Sequence, residues 1–148
     1  YGDINVKSCK IKPIKASKEY YVKSTDEYPI MFVIAALTNG VSIFKGIGDL
    51  TNKESDRIKE MQKILNQIGV ISKASGNQLK IFGKSFIKKK NIKIKVGNLG
   101  DHRIAMSSLI LSLVTGINTN IKNFETVNTS SPSFLKIVKY LGGKFETY

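Results

Sequence analysis

The hydrophobic pattern divides the chain into alternating helices and strands. One segment, "DEYPIMFVIAALTNG" at 26–40, is apolar on nearly every face, which predicts a helix buried on most sides. A later segment at 53–69 places apolar residues at helical spacing with charges opposite, which predicts an amphipathic helix ended by Gly69. With a strand and a hairpin added, the series is buried helix, strand, amphipathic helix and hairpin, at 26–40, 41–47, 53–69 and 70–84.

The same order recurs about 75 residues later, as in proteins built from internal repeats. "DHRIAMSSLILSLVTG" at 101–116 predicts a second buried helix that ends at a glycine. A strand at 117–125 and an amphipathic helix at 130–143 follow, the latter with Pro132 in its first turn. Its predicted inward residues are Phe134, Ile137, Val138 and Leu141, and further strands are predicted at 2–12, 92–96 and 144–148.

These elements predict an α/β fold of two repeat units, roughly 26–97 and 98–148, preceded by a strand segment at 1–25. The two buried helices are expected to pack side by side with their N-termini on one edge. Because helix N-termini carry partial positive charge, that edge predicts an anion site.

The amino-acid composition limits the kinds of function and the cellular compartment that are consistent with this chain. The 148 residues carry a net charge of +13 and 41% hydrophobic side chains, enough for a packed core. The charge is consistent with nucleic-acid binding, with attraction of small anionic substrates, or with a general bias toward lysine. A single cysteine and no apolar stretch of membrane-spanning length predict a cytoplasmic protein without disulfides. The N-terminus lacks a signal peptide and begins as if within a strand, so we expect a fragment.

Polar clusters stand at three predicted helix N-termini, at 24–29, 51–57 and 100–103. Helix capping alone could explain them. Ser24 with Glu27 and Thr51 with Glu54 have capping-box spacing, and the third cluster has an aspartate in the N-cap position. Local ion pairs are a second explanation, since an arginine at 57 can pair with a glutamate at 54 or 60.

The placement of the arginines favours a binding site. Only two of the 24 basic residues are arginines, Arg57 and Arg103, and both fall in the first turn of a predicted helix. A planar guanidinium grips carboxylate or phosphate with two parallel hydrogen bonds, so this pair predicts a clamp for an anionic substrate. Asp26 and Glu54 are then acid–base candidates on the same edge. Phosphate-loop and dinucleotide-binding motifs are missing from the sequence, as is metal-ligand spacing, so we expect neither metal nor cofactor.

The segments "TDEYPI", "NKESDRI" and "GDHRIAMS", in this order and spacing, resemble the C-terminal part of the 3-phosphoshikimate 1-carboxyvinyltransferase (EPSP synthase) family. "GDINVKS" before them and "NTSSPSFLKIVKYLGGKFE" after them also resemble it. The resemblance implies an inside-out α/β barrel of βαβαββ units around buried parallel helices, of which this chain holds about two units. It implies a missing N-terminal domain as partner and one wall of an interdomain active site, so we expect the chain alone to be inactive.

The resemblance also implies a reaction in aromatic amino-acid biosynthesis and a set of roles. Phosphoenolpyruvate and shikimate 3-phosphate would be the substrates, joined without a metal or cofactor. Asp26 and Lys53 would bind shikimate 3-phosphate. All three catalytic residues would handle protons: Asp26 would accept the proton of the attacking hydroxyl, Lys53 would help with proton transfer, and Glu54 would move a proton at the enolpyruvyl methylene. Phosphoenolpyruvate would be clamped by Arg57 and Arg103, and the site would be bordered by Asp101 and His102.

Two positions depart from the family pattern, and two alternative functions remain to be considered. Thr51 and Thr129 stand where many members of the family carry basic residues, which bears on substrate affinity and on glyphosate sensitivity. UDP-N-acetylglucosamine enolpyruvyl transferases share the fold but usually lack the "KESDR" and "DHRIAM" motifs. A basic nucleic-acid-binding module would need exposed aromatic residues among its lysines, and the stretch at 84–95 offers only Phe86.

Overall fold

A computed structural model describes residues 2–3, 5–85, 87 and 92–146. Its helices are α1 (Lys18–Ser24), α2 (Tyr28–Ala36), α3 (Arg57–Gln67), α4 (His102–Thr115) and α5 (Phe134–Tyr140). Its strands are β1 (Lys15–Ala16), β2 (Gly40–Lys45), β3 (Ile71–Ser75), β4 (Gln78–Gly83), β5 (Ile94–Val96) and β6 (Thr119–Ile121). Short 3-10 helices occupy Thr25–Glu27, Gly48–Asn52 and Phe124–Thr129.

The strands form two sheets that repeat one arrangement. In the first, β1 pairs in parallel with β2, and β2 pairs antiparallel with β4 of the β3–β4 hairpin. In the second, β5 pairs in parallel with β6. Each parallel pair is connected through a buried helix, α2 in the first case and α4 in the second. This confirms the α/β class and the repeated order, while the predicted boundary near residue 97 stays a prediction.

The two predicted central helices are confirmed, and they contact each other. Tyr28 and Phe32 of α2 are fully buried and pack edge-on against each other and against Phe44 of β2. On the other side of the pair, α4 buries apolar residues on several faces, from Ile104 to Leu111, and ends at Gly116 in the left-handed conformation. Because both helices lack a continuous polar face, each is buried by packing on more than one side.

Several local predictions are wrong. Alternation at 2–12 predicted a strand, but its described residues form no strand, and Val6 and Ile11 are 85% and 56% exposed. A strand needs a neighbour for its hydrogen bonds, and the parallel edge of β2 is paired with Lys15–Ala16 instead. The segment at 1–25, expected to precede the first unit as a strand, forms a strand only at β1 within its described residues, and it also contains the helix α1.

The C-terminal predictions are also partly wrong. Helix α5 is shorter than 130–143, so Pro132 precedes it. Only Val138 of its expected inward residues is buried, whereas Ile137 and Leu141 are 52% and 76% exposed, because α5 covers the rest of the fold with one narrow face. Residues 144–146 form no strand. The 92–96 strand is confirmed at Ile94–Val96, while Phe86 and the lysines at 88–90 lie outside the described residues.

Candidate active site

Three helix N-termini meet at one edge and carry the predicted site residues. Asp26 lies in the 3-10 helix that leads into α2, Arg57 is the first residue of α3, and Arg103 is the second residue of α4. Contacts among α2, α3 and α4 hold these ends together. The common edge predicted from the sequence is therefore confirmed, and it gathers three positive helix ends rather than two.

Arg57 lies at the centre of this edge and is almost completely buried, with 1% of its side chain exposed. Its Nε donates to Asp101 Oδ2 at 3.0 Å. Its terminal nitrogens donate to Asp26 Oδ1 at 3.1 Å and to Glu54 Oε2 at 2.6 Å. Burial disfavours the charged guanidinium, but the hydrogen bonds and charges of these carboxylates outweigh it and raise the pKa of Arg57. The expected pairing with Glu54 is present, together with two partners that the sequence did not indicate.

Asp101 joins the starts of α3 and α4. Its Oδ1 accepts from the backbone N–H groups of Arg103 and Ile104 at 3.0 and 3.3 Å, which confirms the predicted N-cap. Its Oδ2 accepts from Arg57 and also from Ser55 Oγ, at 2.8 Å. One buried carboxylate therefore caps one helix and fixes the first side chain of another.

The two predicted capping boxes are wrong. The side chain of Ser24 makes no cap hydrogen bond. Asp56, not Thr51, caps α3, by accepting from the N–H of Lys59 at 2.9 Å. Helix α3 begins only at Arg57, so Glu54 precedes the helix and its side chain does not take part in a cap. The Glu54 carboxylate can therefore accept from the guanidinium of Arg57.

Arg103 borders the cluster on its exposed side. With 27% of its side chain exposed, it donates from Nη1 to Glu27 Oε1 at 2.9 Å and lies 3.6 Å from Asp26 Oδ2. The hydrogen bond from Arg57, with the charges of both arginines and Lys53, lowers the pKa of Asp26 against the opposing effect of burial. Asp26 is therefore ionised at neutral pH.

Lys53 stands just outside the guanidinium cluster. Its Nζ lies 2.9 Å from Asp49 Oδ2, an oxygen that also accepts from the Tyr21 hydroxyl at 2.9 Å. Sequence reasoning singled out neither Asp49 nor Tyr21. The spacing of four residues between Asp49 and Lys53 was the only available signal for that ion pair.

The remaining predicted positions contribute less to this geometry. His102 opens α4 and is half-buried, and within the described ranges its side chain makes no hydrogen bond. Thr51 and Thr129 donate to backbone carbonyls of their own turns, those of Gly48 and Thr126, both at 2.8 Å. Neither threonine side chain extends the charged cluster.

A cavity of about 180 Å³ opens beside Arg103. Charged side chains form one end of it and apolar side chains from α2, α4 and α5 form the other. The lining residues are Asp26, Glu27, Ile30, Arg103, Met106, Ser107, Ile110 and Phe134. The arrangement combines an ionised carboxylate with a partly exposed guanidinium, which suits proton acceptance next to a bound anion.

Two structural features are missing from the described part of the chain. It contains no group of three or more side chains placed to hold a metal ion. Its helices include none that is both long and apolar enough to span a membrane.

Comparison with known proteins gives a consistent assignment. The family model for EPSP synthase (3-phosphoshikimate 1-carboxyvinyltransferase) matches residues 2–138. The 3-phosphoshikimate 1-carboxyvinyltransferase of Clostridium tetani is 36% identical over 93% of this chain, and that of Legionella pneumophila (strain Paris) is 34% identical over 99%. The chain spans only 31% and 33% of the lengths of these two relatives, or about a third.

Solved structures agree with the sequence relatives. An EPSP synthase from Acinetobacter baumannii matches with a TM-score of 0.72 and 30% identity, over 88% of this chain and 30% of that one. The enolpyruvyl transferase NikO from Streptomyces tendae, at 12% identity and a TM-score of 0.62, shares the fold, over 90% of this chain and 28% of its own. The expected fold, part of an EPSP synthase-like domain, is therefore confirmed. On this evidence the chain belongs to the EPSP synthase (3-phosphoshikimate 1-carboxyvinyltransferase) family.

Proposed function

We propose that this chain forms one wall of the active site of an enzyme of aromatic amino-acid biosynthesis. That enzyme transfers the enolpyruvyl group of phosphoenolpyruvate to shikimate 3-phosphate and releases phosphate. The observation that carries the proposal is the meeting of Asp26, Glu54, Arg57 and Arg103 at three helix N-termini in a chain of this family. Both substrates are anions, which these positive helix ends attract.

The proposed chemistry begins with Asp26. A shikimate hydroxyl oxygen attacks C2 of phosphoenolpyruvate while Asp26 accepts the hydroxyl proton, and the methylene carbon gains a proton to become a methyl group. In the second step this methyl group returns a proton, the C2–O bond to phosphate breaks, and the enolpyruvyl double bond forms again. The lowered pKa of Asp26 keeps it unprotonated before the attack. We assign the movement of the methylene proton to Glu54, which belongs to the same cluster through its contact with Arg57.

The two arginines differ in their access to a substrate. Arg103 borders the cavity and is partly exposed, so phosphoenolpyruvate could replace its contact with Glu27 by a similar charged hydrogen bond. Arg57 is buried and holds three carboxylates, so direct contact with substrate requires Asp26 or Glu54 to move aside. We therefore assign first contact with phosphoenolpyruvate to Arg103 and place Arg57 as its second, deeper contact.

Lys53 is assigned to the 3-phosphate side of shikimate 3-phosphate, and His102 and Asp101 to the border of the site. The partner of this wall is the N-terminal domain of the same enzyme, which would supply the facing contacts. A single wall leaves the substrates in contact with water, so we expect the 148-residue chain alone to release no phosphate.

The test uses the completed enzyme, meaning this chain joined to the N-terminal remainder encoded upstream or taken from a close relative. Phosphate release is measured with both substrates together and with each alone. Asp26→Asn and Arg103→Ala should each reduce release at least about a hundredfold, because each removes a charge used in the transition state. Glu60→Gln, which removes a half-buried carboxylate paired with the exposed Lys63 away from the site, is the matched control and should keep wild-type rates.

Three results would contradict the proposal. The first is a folded completed enzyme that releases no phosphate. The second is release that is indifferent to Asp26→Asn and Arg103→Ala. The third is release that depends on UDP-N-acetylglucosamine rather than on shikimate 3-phosphate, which would assign the chain to the sister activity.

A further inference from the structure

A hydrogen-bond chain reaches Lys53 from the protein interior. The Tyr21 hydroxyl donates to Asp49 Oδ2 at 2.9 Å, and the same oxygen lies 2.9 Å from Lys53 Nζ. Neither Tyr21 nor Asp49 has a part in the proposed reaction. We propose that Tyr21 and Asp49 are positioning residues that hold the Lys53 ammonium in place for the phosphate-bearing substrate. This inference rests on the proposed function of Lys53 and adds two residues to it.

Tyr21 is a fixed donor because its ring is packed. Only 8% of the residue is exposed, and its ring meets that of Tyr28 edge-on at 5.4 Å between centroids. Burial, followed by the hydrogen bond to Asp49, raises the pKa of Tyr21 to about 12. The phenol therefore keeps its proton at neutral pH and continues to donate.

Asp49 needs this donor to stay in place. It lies in the 3-10 helix Gly48–Asn52, which is anchored by the fully buried Leu50, but 58% of the Asp49 side chain is exposed. Hydrogen bonds from Lys53 and then from Tyr21 lower the pKa of Asp49, so it remains a carboxylate. Without Tyr21, an exposed carboxylate of this kind gains rotamers in water and holds its lysine weakly.

The contact with Asp49 restricts the side-chain rotamers of Lys53, and this restriction favours substrate binding. A lysine side chain has four flexible bonds and loses rotamer freedom when it binds an anion. Its ammonium has three donors, so one can face Asp49 while the others face a phosphate. The charge of Lys53 already contributes to the low pKa of Asp26, which places the ammonium near the reacting edge. Ordering Lys53 in advance should improve substrate affinity rather than the chemical step.

The experiment compares Tyr21→Phe and Asp49→Asn with two matched controls in the completed enzyme. Tyr20→Phe removes a hydroxyl from the neighbouring residue of α1, which is 60% exposed, and Glu60→Gln breaks the pair between Glu60 and the exposed Lys63 elsewhere. Each test variant should raise KM for shikimate 3-phosphate about fivefold, with kcat and KM for phosphoenolpyruvate within about twofold of wild type. The controls should change none of these values.

The double variant gives a readout that general destabilisation would not produce. Because Tyr21 acts through Asp49, Tyr21→Phe combined with Asp49→Asn should raise KM no more than Asp49→Asn alone. Asp49→Glu, which keeps the charge, should recover part of the affinity. Additive effects, an unchanged KM, or an equal loss in kcat would overturn the inference.

A second measurement separates this inference from the proposed function. The phenol of Tyr21 is titrated by NMR in the completed enzyme, with the Tyr21→Phe variant used for assignment. In Asp49→Asn the pKa of Tyr21 should fall, because the negative acceptor is lost. An unchanged titration would overturn the hydrogen-bond chain even in an active enzyme. An enzyme without turnover would refute the proposed function and the substrate role of Lys53, whatever the titration shows.

Discussion

Removing the Asp101 side chain should unfold this structure far more readily than removing an ordinary helix cap. The residue is 2% exposed, caps α4, and accepts from the buried Arg57. Losing one partner of a buried ion pair costs about 3–5 kcal/mol, and losing an N-cap costs about 1 kcal/mol. Because Arg57 keeps two other carboxylates, we take the lower pair value and expect Asp101→Ala to lose about 4 kcal/mol in total.

The comparison is with Asp56→Ala, which removes the N-cap of α3 but no buried ion pair. That variant should lose only about 1 kcal/mol. With a urea dependence of about 2 kcal/mol per molar, the unfolding midpoints should fall by about 2 M and about 0.5 M, respectively. Far-UV circular dichroism of the chain in increasing urea measures both midpoints.

Equal midpoint shifts for the two alanine variants would refute the reasoning, because the ion pair would then contribute nothing beyond the cap. A double variant tests the cause directly. Much of the cost of Asp101→Ala comes from a buried guanidinium that has lost its acceptor, so adding Arg57→Met should recover stability. A double variant less stable than Asp101→Ala would show that the remaining carboxylates fully satisfy the guanidinium.

Two further predictions concern acid stability and packing. Because the folded pKa of Asp26 lies below its usual value of 3.8, its stabilising effect is complete above about pH 4 and is lost as the pH falls through the folded pKa. Unfolding measured from about pH 5 down to about pH 2 should therefore depend less on pH in Asp26→Asn, and an identical profile would contradict the assignment. Gly83→Ala would place a Cβ in severe overlap with the carbonyl oxygens of Ala35 and Thr38, so it should cost about 3 kcal/mol or more in urea unfolding. Gly97→Ala, with no neighbouring atom within 4 Å, is the control, and a similar small loss in both would show that α2 can shift away.

The burial of the α2 and α4 helices followed from the sequence because an apolar surface on all sides has only one stable environment. The hairpin was equally local, since Gly76 adopts φ of +52° between strands that pair directly. Strand predictions at the two ends were wrong for the opposite reason. Alternation describes the two faces of a strand, but it does not supply the neighbouring strand that satisfies the backbone.

The candidate site was partly predictable. The placement of two rare arginines at helix starts indicated an anion site, and the cap at Asp101 followed from its position before an apolar run. The pairing of Arg57 with Glu54 followed from their spacing, but nothing in the sequence indicated its two distant partners. Asp26 and Asp101 lie 31 and 44 positions away along the chain, so their contacts depend on how α2, α3 and α4 pack.

The sequence by itself determined the two buried helices, the N-cap of α4 at Asp101, the repeated order and the family. Each of these depends on residues that are close together in the chain or on short sequence motifs, which can be recognised without knowing the fold. Tertiary structure alone decided that Arg57 is buried among three carboxylates, that Arg103 faces a cavity, and that Tyr21 reaches Lys53 through Asp49. Hydrogen bonds act only over about 3 Å, so side chains distant in sequence acquire a chemical role only when packing brings their atoms within that distance.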